Sequence, residues 1–271
     1  VAALLLAVAG GAAMAQGARL DVLDQRGDLL GWEAVGRLDL PGGFCTGALI
    51  ARDVVLTAAH CVHDRTTGAP LPAAGMVFRA GYHRGTQIVA QRVRHWVAPS
   101  GYVQQPGQRL GAEAIAHDVA LLKLEAPVSV AEADPFRIHD TPPEGTAVSL
   151  LSYGRGREEV LSRQPACAMT GRYAGGILEF DCSVTWGSSG APVFVREAGR
   201  LRILSVISVA SDPGQGTGHA MGPSLPALVA DLSARLRGTE AQTPVSAGVR
   251  RVSVGDGRGG MAARFVRVPQ P

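Results

Sequence analysis

Lysine is almost absent from this chain: of 26 Lys and Arg residues in a length of 271, only Lys123 is a lysine. Five arginines and two acids fall in residues 239–271, so the formal net charge of +3 belongs to that tail and residues 1–238 are balanced. A balanced body lacks the electrostatic footprint of a nucleic-acid-binding domain, and no nucleic-acid partner is expected. Aromatic residues make up only 5% of the chain while glycines number 35. That composition fits many short strands joined by turns better than a helical bundle. The apolar run from Val1 to Gly11 is shorter than the roughly 20 residues a membrane-spanning helix needs. With Ala13-Met14-Ala15 behind it, the run reads as a secretory signal cleaved after Ala15, the other reading being a buried N-terminal helix. A secreted or periplasmic product with no stable membrane anchor is expected.

A tight turn stands out at Thr185-Trp186-Gly187-Ser188-Ser189-Gly190-Ala191-Pro192. A serine hydroxyl is a poor nucleophile until a base takes its proton, and its attack on a carbonyl creates an oxyanion that donors must meet. Gly187 has no side chain to keep a substrate oxygen away from its amide, and the Ser189 amide can point to the same spot. Taken alone, such a turn is as readily a plain Gly/Ser loop between strands. A base and an orienting acid are present elsewhere, however. Val54-Val55-Leu56-Thr57-Ala58-Ala59-His60-Cys61 is an apolar strand ending on a histidine, and His117-Asp118-Val119-Ala120-Leu121-Leu122 puts an aspartate ahead of a second apolar strand. The order His, Asp, Ser is one of the three known chain orders for a catalytic triad.

On these motifs the chain resembles the secreted trypsin-like serine proteases of the chymotrypsin fold, in particular the small bacterial branch related to glutamyl endopeptidases. The resemblance runs from Trp32 to Gly238. It implies an all-β fold of two six-stranded antiparallel β-barrels followed by a C-terminal helix. It also implies a serine endopeptidase that forms an acyl-enzyme, with His60 as base, Asp118 as orienting acid, Ser189 as nucleophile and the Gly187 and Ser189 amides as oxyanion donors. Ser208-Val209-Ala210 corresponds to the strand that pairs with substrate backbone, and Ser208 would then support the triad acid; an ordinary core strand is the alternative. A monomer acting on a polypeptide, with no metal and no cofactor, is expected.

The chain departs from the animal members of that family in two matched ways. It has no Ile-Val-Gly-Gly type start, and the residue before Ser189 is Ser188, where those members carry an acid that pairs with the new N-terminal amine. The site is expected to form without an inserted N-terminus. Both departures also suit a protease-fold binding protein that has lost activity, a reading opposed by the complete set of three catalytic residue types. An esterase elbow does not fit, because an apolar β-like run follows Pro192 where a helix should start.

Specificity is less determined. Ser183 stands six residues before the nucleophile, where enzymes that cut after Arg or Lys carry an acid, and no histidine lies on the Ile203–Val209 strand, where glutamyl-specific relatives have one. His219 could reach the back of the pocket or be an ordinary core histidine. A neutral primary pocket for apolar or small side chains is the resulting expectation. His117, next to Asp118, is read as structural.

Four cysteines allow three pairings. Cys45 with Cys61 and Cys167 with Cys182 is favoured because each pair sits in adjacent strands. Export and the family resemblance argue against the alternative, a zinc site built from Cys45, His60, Cys61 and His63. The expected organisation is a signal at 1–15, a lead-in or pro-segment at 16–31, a first barrel at 32–126, a linker at 127–145, a second barrel with its helix at 146–238 and a flexible tail at 239–271. The helix is read from Leu225, Leu228, Val229, Leu232 and Leu236 behind a Ser224 cap, with Gly238 as its stop. The Pro- and Gly-rich stretch from Pro99 to Gly111 is expected to be a surface loop bordering the cleft.

Overall fold

In a computed structural model, the residues described are 20–104, 106–107, 110–140, 142–210 and 219–241. The expected signal segment and residues 242–271 of the expected tail lie outside them. The first half is a closed antiparallel barrel of six strands. These are β2 (Val35–Leu40), β3 (Gly43–Ala51), β4 (Val54–Thr57), β5 (Val77–Ala80), β6 (Val89–Val97) and β7 (Ala120–Leu124), joined in the order β2-β3-β4-β7-β6-β5. Strand β7 shows why its sequence is apolar almost throughout. Successive side chains point to opposite faces, so Ala120, Leu122 and Leu124 fill the barrel, while Leu121 packs outward with Leu56 against the second half and the C-terminal helix. Lys123, the one polar member, reaches Asp53 at 2.9 Å.

A second barrel is not formed. The other half is an open nine-stranded sheet. It contains β8 (Arg137–Ile138), β9 (Ala147–Gly154), β10 (Arg157–Tyr173), β11 (Ile177–Phe180), β12 (Pro192–Glu197), β13 (Arg200–Val206), β14 (Val209–Ala210) and β15 (Ala220–Pro223), with β1 (Asp21–Val22) added on β10. Its order is β14-β15-β11-β10-β9-β12-β13-β8. Closure would need a ladder from β13 to β15, and three features prevent one. The free edge of β13 is taken by β8, paired in parallel at Arg202 and Ile203. Beyond Val206 the partner changes within two residues, Ile207 N donating to Ala191 O beside β12 and Ser208 N to Met221 O of β15, where the separate two-residue strand β14 takes over the pairing. Pro223 has no N–H to offer. The strands touch instead through Ser205 Oγ, which donates to Pro223 O at 2.8 Å, and through Gly222, where a Cβ would come within 1.9 Å of Val206 O.

The two halves share a core of Val35, Ala48, Leu56, Leu121, Leu151, Tyr153 and Phe194. Leu23 and Leu29 of the lead-in are buried in it, and Trp32, at the start of the expected first barrel, meets the Phe194 ring edge-on at 5.4 Å. Two helices complete the described chain, α1 (Ala112–Ala116) and α2 (Pro226–Ala241). Helix α2 runs past Gly238, which is absent from the glycines with positive φ. A glycine stops a helix only when it takes the left-handed conformation; inside the helix it costs about 1 kcal/mol relative to alanine.

Candidate active site

His60 is carried by the 3-10 turn Ala59–Val62 at the end of β4, and Asp118 lies two residues before β7, the strand paired with β4. This pairing, with Thr57 opposite Ala120, brings the two side chains together. Asp118 is completely buried. Its Oδ1 accepts from the His60 amide at 2.8 Å, and its Oδ2 accepts from His60 Nδ1 at 2.7 Å and from the Ser208 hydroxyl. A carboxylate only accepts, so the Nδ1 proton is fixed in place and Nε2 is left as the acceptor of the ring. Three donors offset the cost of burying the charge.

The Ser189 turn is anchored on the first half by Thr46 of β3. Thr46 N donates to Ser189 O at 2.9 Å, and its hydroxyl donates to Gly187 O at 3.0 Å while accepting from Tyr153 N at 3.0 Å. Two further carbonyls are held on the far side of the turn. Trp186 O accepts from Arg155 N at 2.7 Å, and Ser188 O accepts from Ala191 N at 3.0 Å. Peptide units are planar and trans here, so fixing those carbonyls directs the Gly187 and Ser189 N–H groups the other way. Among the described residues neither amide is hydrogen-bonded. Gly187 has φ +92, and a Cβ on it would meet the Phe44 ring at 2.5 Å.

Ser188, fully buried, donates to Ser152 Oγ at 3.1 Å, and Ser152 also accepts from Arg157 at both its hydroxyl, at 2.9 Å, and its carbonyl. Arg157 forms no ion pair among the described residues. Burial pushes its guanidinium down to about 10. In place of an acid and an N-terminal amine, the turn therefore rests on a chain of two serines and an arginine.

A cavity of about 550 Å³ opens at the turn. His60, Ser189, Ser208 and Val209 line it together, and Val184, Ile207, Ala210 and Met221 give it an apolar wall. Gln104, Gly107 and Leu110 of the Pro99–Gly111 stretch border it. His60 and Ser189 share the cavity, but no hydrogen bond joins them among the described residues. Ser183 and His219 are not on its described wall: the Ser183 amide donates to Gln164 Oε1 at 2.7 Å, and His219 lies 3.3 Å from Glu179. Asp181 is exposed and accepts from Ala168 N at 2.5 Å. His117 bonds the Glu113 carbonyl at 2.9 Å. Disulfides join Cys45 to Cys61 and Cys167 to Cys182. The only grouping of metal-ligand types among the described residues is Cys45, His60 and Cys61; with both sulfurs in a disulfide, no thiolate remains to bind zinc.

A profile of the trypsin-like peptidase domain matches residues 45–202. The chain belongs to that family. Among trypsin-like relatives, a trypsin from Sarcophaga bullata is 31% identical over 113 residues, which cover 41% of this chain and 39% of that protein. Three solved structures share the trypsin-like fold. The serine protease AL20 from an extremophilic microorganism has a TM-score of 0.60 at 20% identity, covering 76% of this chain and 98% of that one. A Glu endopeptidase has 0.59 at 19%, covering 76% and 91%, and the protease Anisep from Arthrobacter nicotinovorans 0.57 at 16%, covering 74% and 93%.

Several residues of this trypsin-like site were not anticipated from sequence. Thr46 had a signal, a polar residue inside the apolar run Phe44–Ile50 beside a half-cystine. Arg157 had none at the level of spacing, nor had Arg65 and Trp186, which line the cavity with Ser189.

Proposed function

We propose that the chain is an active, secreted serine endopeptidase. His60, held by Asp118, takes the Ser189 proton; the hydroxyl oxygen attacks the scissile carbonyl carbon, and the Gly187 and Ser189 amides receive the oxyanion. Collapse of the tetrahedral intermediate expels the amine, protonated by His60, and leaves an acyl-enzyme that water cleaves by the same steps. The observation that carries this reading is the buried Asp118, which fixes Nδ1 of a histidine lining the same cavity as Ser189. The unformed His60–Ser189 hydrogen bond is compatible with it, since such bonds often tighten only with substrate bound. The apolar wall favours an apolar residue before the cut, with Val209 and Ala210 pairing to substrate backbone. The two disulfides support export to an oxidising compartment, and the enzyme acts as a monomer on polypeptides.

The test is labelling by a fluorophosphonate probe, with Ser189→Ala beside the wild type. Labelling of the wild type alone supports the reading. Failure of the folded, disulfide-intact protein to label, before and after limited proteolysis near Arg26, would instead favour an inactive binding protein.

A further inference from the structure

Trp186 precedes the proposed oxyanion residue and is 42% exposed, unusual for so large an apolar ring. Two guanidinium groups converge on it, Arg65 at 4.6 Å and Arg155 at 5.7 Å from the ring centroid. Neither forms an ion pair among the described residues. The acids nearest in sequence are committed elsewhere. Asp64 Oδ1 accepts from the Thr66 and Thr67 amides and the Thr67 hydroxyl, and Glu158 Oε1 accepts from the Gly156 amide at 2.8 Å. The Arg155 charge is felt at Glu158, whose carboxyl is held below its ordinary range chiefly by that Gly156 amide. Two like charges are thus held beside one aromatic ring, and a guanidinium over a ring keeps its in-plane N–H donors available.

The position of this pair decides what it would bind. Arg65 and Trp186 line the same cavity as His60, Ser189, Val209 and the apolar wall, and Trp186 is tied to Arg155 through its carbonyl. With the apolar wall and Val209–Ala210 taken by the acyl half under the proposed reading, the arginine pair is assigned to the half that departs as the amine. We propose that Arg65, Trp186 and Arg155 form a subsite for a carboxylate side chain (Asp or Glu) in the one or two residues after the scissile bond. The inference rests on the serine-protease reading for the direction of the substrate, and on the unpaired guanidinium pair for its chemistry.

Two measurements test it. In the first, quenched peptides sharing one apolar residue before the cut carry Glu-Glu, Ala-Ala or Lys-Lys after it. Their kcat/KM values should fall in that order, with about a tenfold spread from first to last for exposed charge contacts, and the spread should shrink as salt rises. In Arg65→Ala/Arg155→Ala the Glu-Glu to Ala-Ala ratio should drop to about one, and with both arginines changed to glutamate the order should reverse. In the second, Ser189→Ala protein is titrated with the same peptides, dye-labelled, and binding is read by anisotropy. Equal binding of the three peptides, or a preference that survives removal of both arginines, overturns the subsite. Preferential binding of Glu-Glu, with no wild-type hydrolysis of any peptide or of an acyl p-nitrophenyl ester, leaves the subsite standing and removes the catalytic reading instead.

Discussion

Gly190, directly after Ser189, allows the contact between the two halves to be probed with one methyl group. Its φ is +73, and an added Cβ would lie 2.1 Å from Thr57 Oγ1, 2.5 Å from Thr46 O and 2.9 Å from Ala58 N. The hydroxyl could rotate away, but the two backbone atoms cannot. Thr46 O accepts from Thr57 Oγ1 at 2.9 Å, Thr46 N holds Ser189 O at 2.9 Å, and Ala58 is fully buried. Gly190→Ala should therefore cost about 1 kcal/mol for a left-handed alanine, about 2 kcal/mol for overpacking and about 1 kcal/mol for a stretched hydrogen bond. The total is about 4 kcal/mol, or about 12 °C in Tm for a protein of this size. Gly199→Ala is the matched control, since φ is +79 and nothing lies within 4 Å of its added Cβ, so only the conformational cost of about 1 kcal/mol applies. Urea unfolding with the disulfides intact, followed by tryptophan fluorescence, measures both. Fluorophosphonate labelling should also fall in Gly190→Ala and not in Gly199→Ala, because the clash lies between the segments that carry Ser189 and His60. Equal destabilisation of the two variants would refute the claim that the backbone there cannot yield.

Replacing Asp118 by Asn puts an N–H where His60 Nδ1 and Ser208 donate; kcat should fall by about 10^4, measured on an ester substrate, with the fold retained by near-ultraviolet circular dichroism. Ser208→Ala removes one of the three donors to that carboxylate and should lower kcat severalfold with KM little changed. Arg157→Met should leave the unfolding free energy in urea within about 1 kcal/mol of wild type, since a partly buried cation without a carboxylate is costly to keep, while the labelling rate of Ser189 drops severalfold because Ser152 and Ser188 lose their anchor; a parallel loss of stability and labelling would count against a positioning role. For pH, Tyr82 donates to Glu159 at 2.6 Å, and this bond, ahead of the Arg37 charge, holds the Glu159 carboxyl below its ordinary range. A depressed carboxylate contributes stability above its unfolded pKa and loses it as pH falls through the folded one. The gap in urea midpoint between wild type and Tyr82→Phe should accordingly be larger at pH 7 than at pH 3.

The parts of the fold legible in the sequence were those set by local pattern. Leu228, Val229, Leu232 and Leu236, read at helical spacing, fall on α2, with Leu232 and Leu236 buried in the shared core, and each cysteine pair expected between adjacent strands is a disulfide. The neighbourhood of His60 and Asp118 was legible for a related reason, since each caps an apolar strand and the two strands pair. Barrel closure in the second half was not, because it turns on which edge of β13 is free, and that is decided by the two-residue strand β8, over sixty residues upstream. The same holds for the Arg65–Trp186–Arg155 grouping. Its members come from three distant stretches, and spacing carries no trace of their meeting.

The absence of an acid before the nucleophile and the folding of the lead-in are parts of one arrangement. A carboxylate at position 188 would be buried and would demand a cation brought to it, the task of an inserted N-terminus in the animal relatives. Ser188 makes a smaller demand, since a hydroxyl needs one acceptor, and Ser152 supplies it while Arg157 fixes Ser152 from behind. Asp21 and Val22 extend the sheet at Arg163 and Ser162 of β10, and Leu23 and Leu29 are buried in the shared core. Burying a leucine side chain contributes about 2 kcal/mol, so removing residues 20–31 would expose core rather than release a restraint. Residues 21–29 are thus packed into the sheet and the shared core of the folded chain.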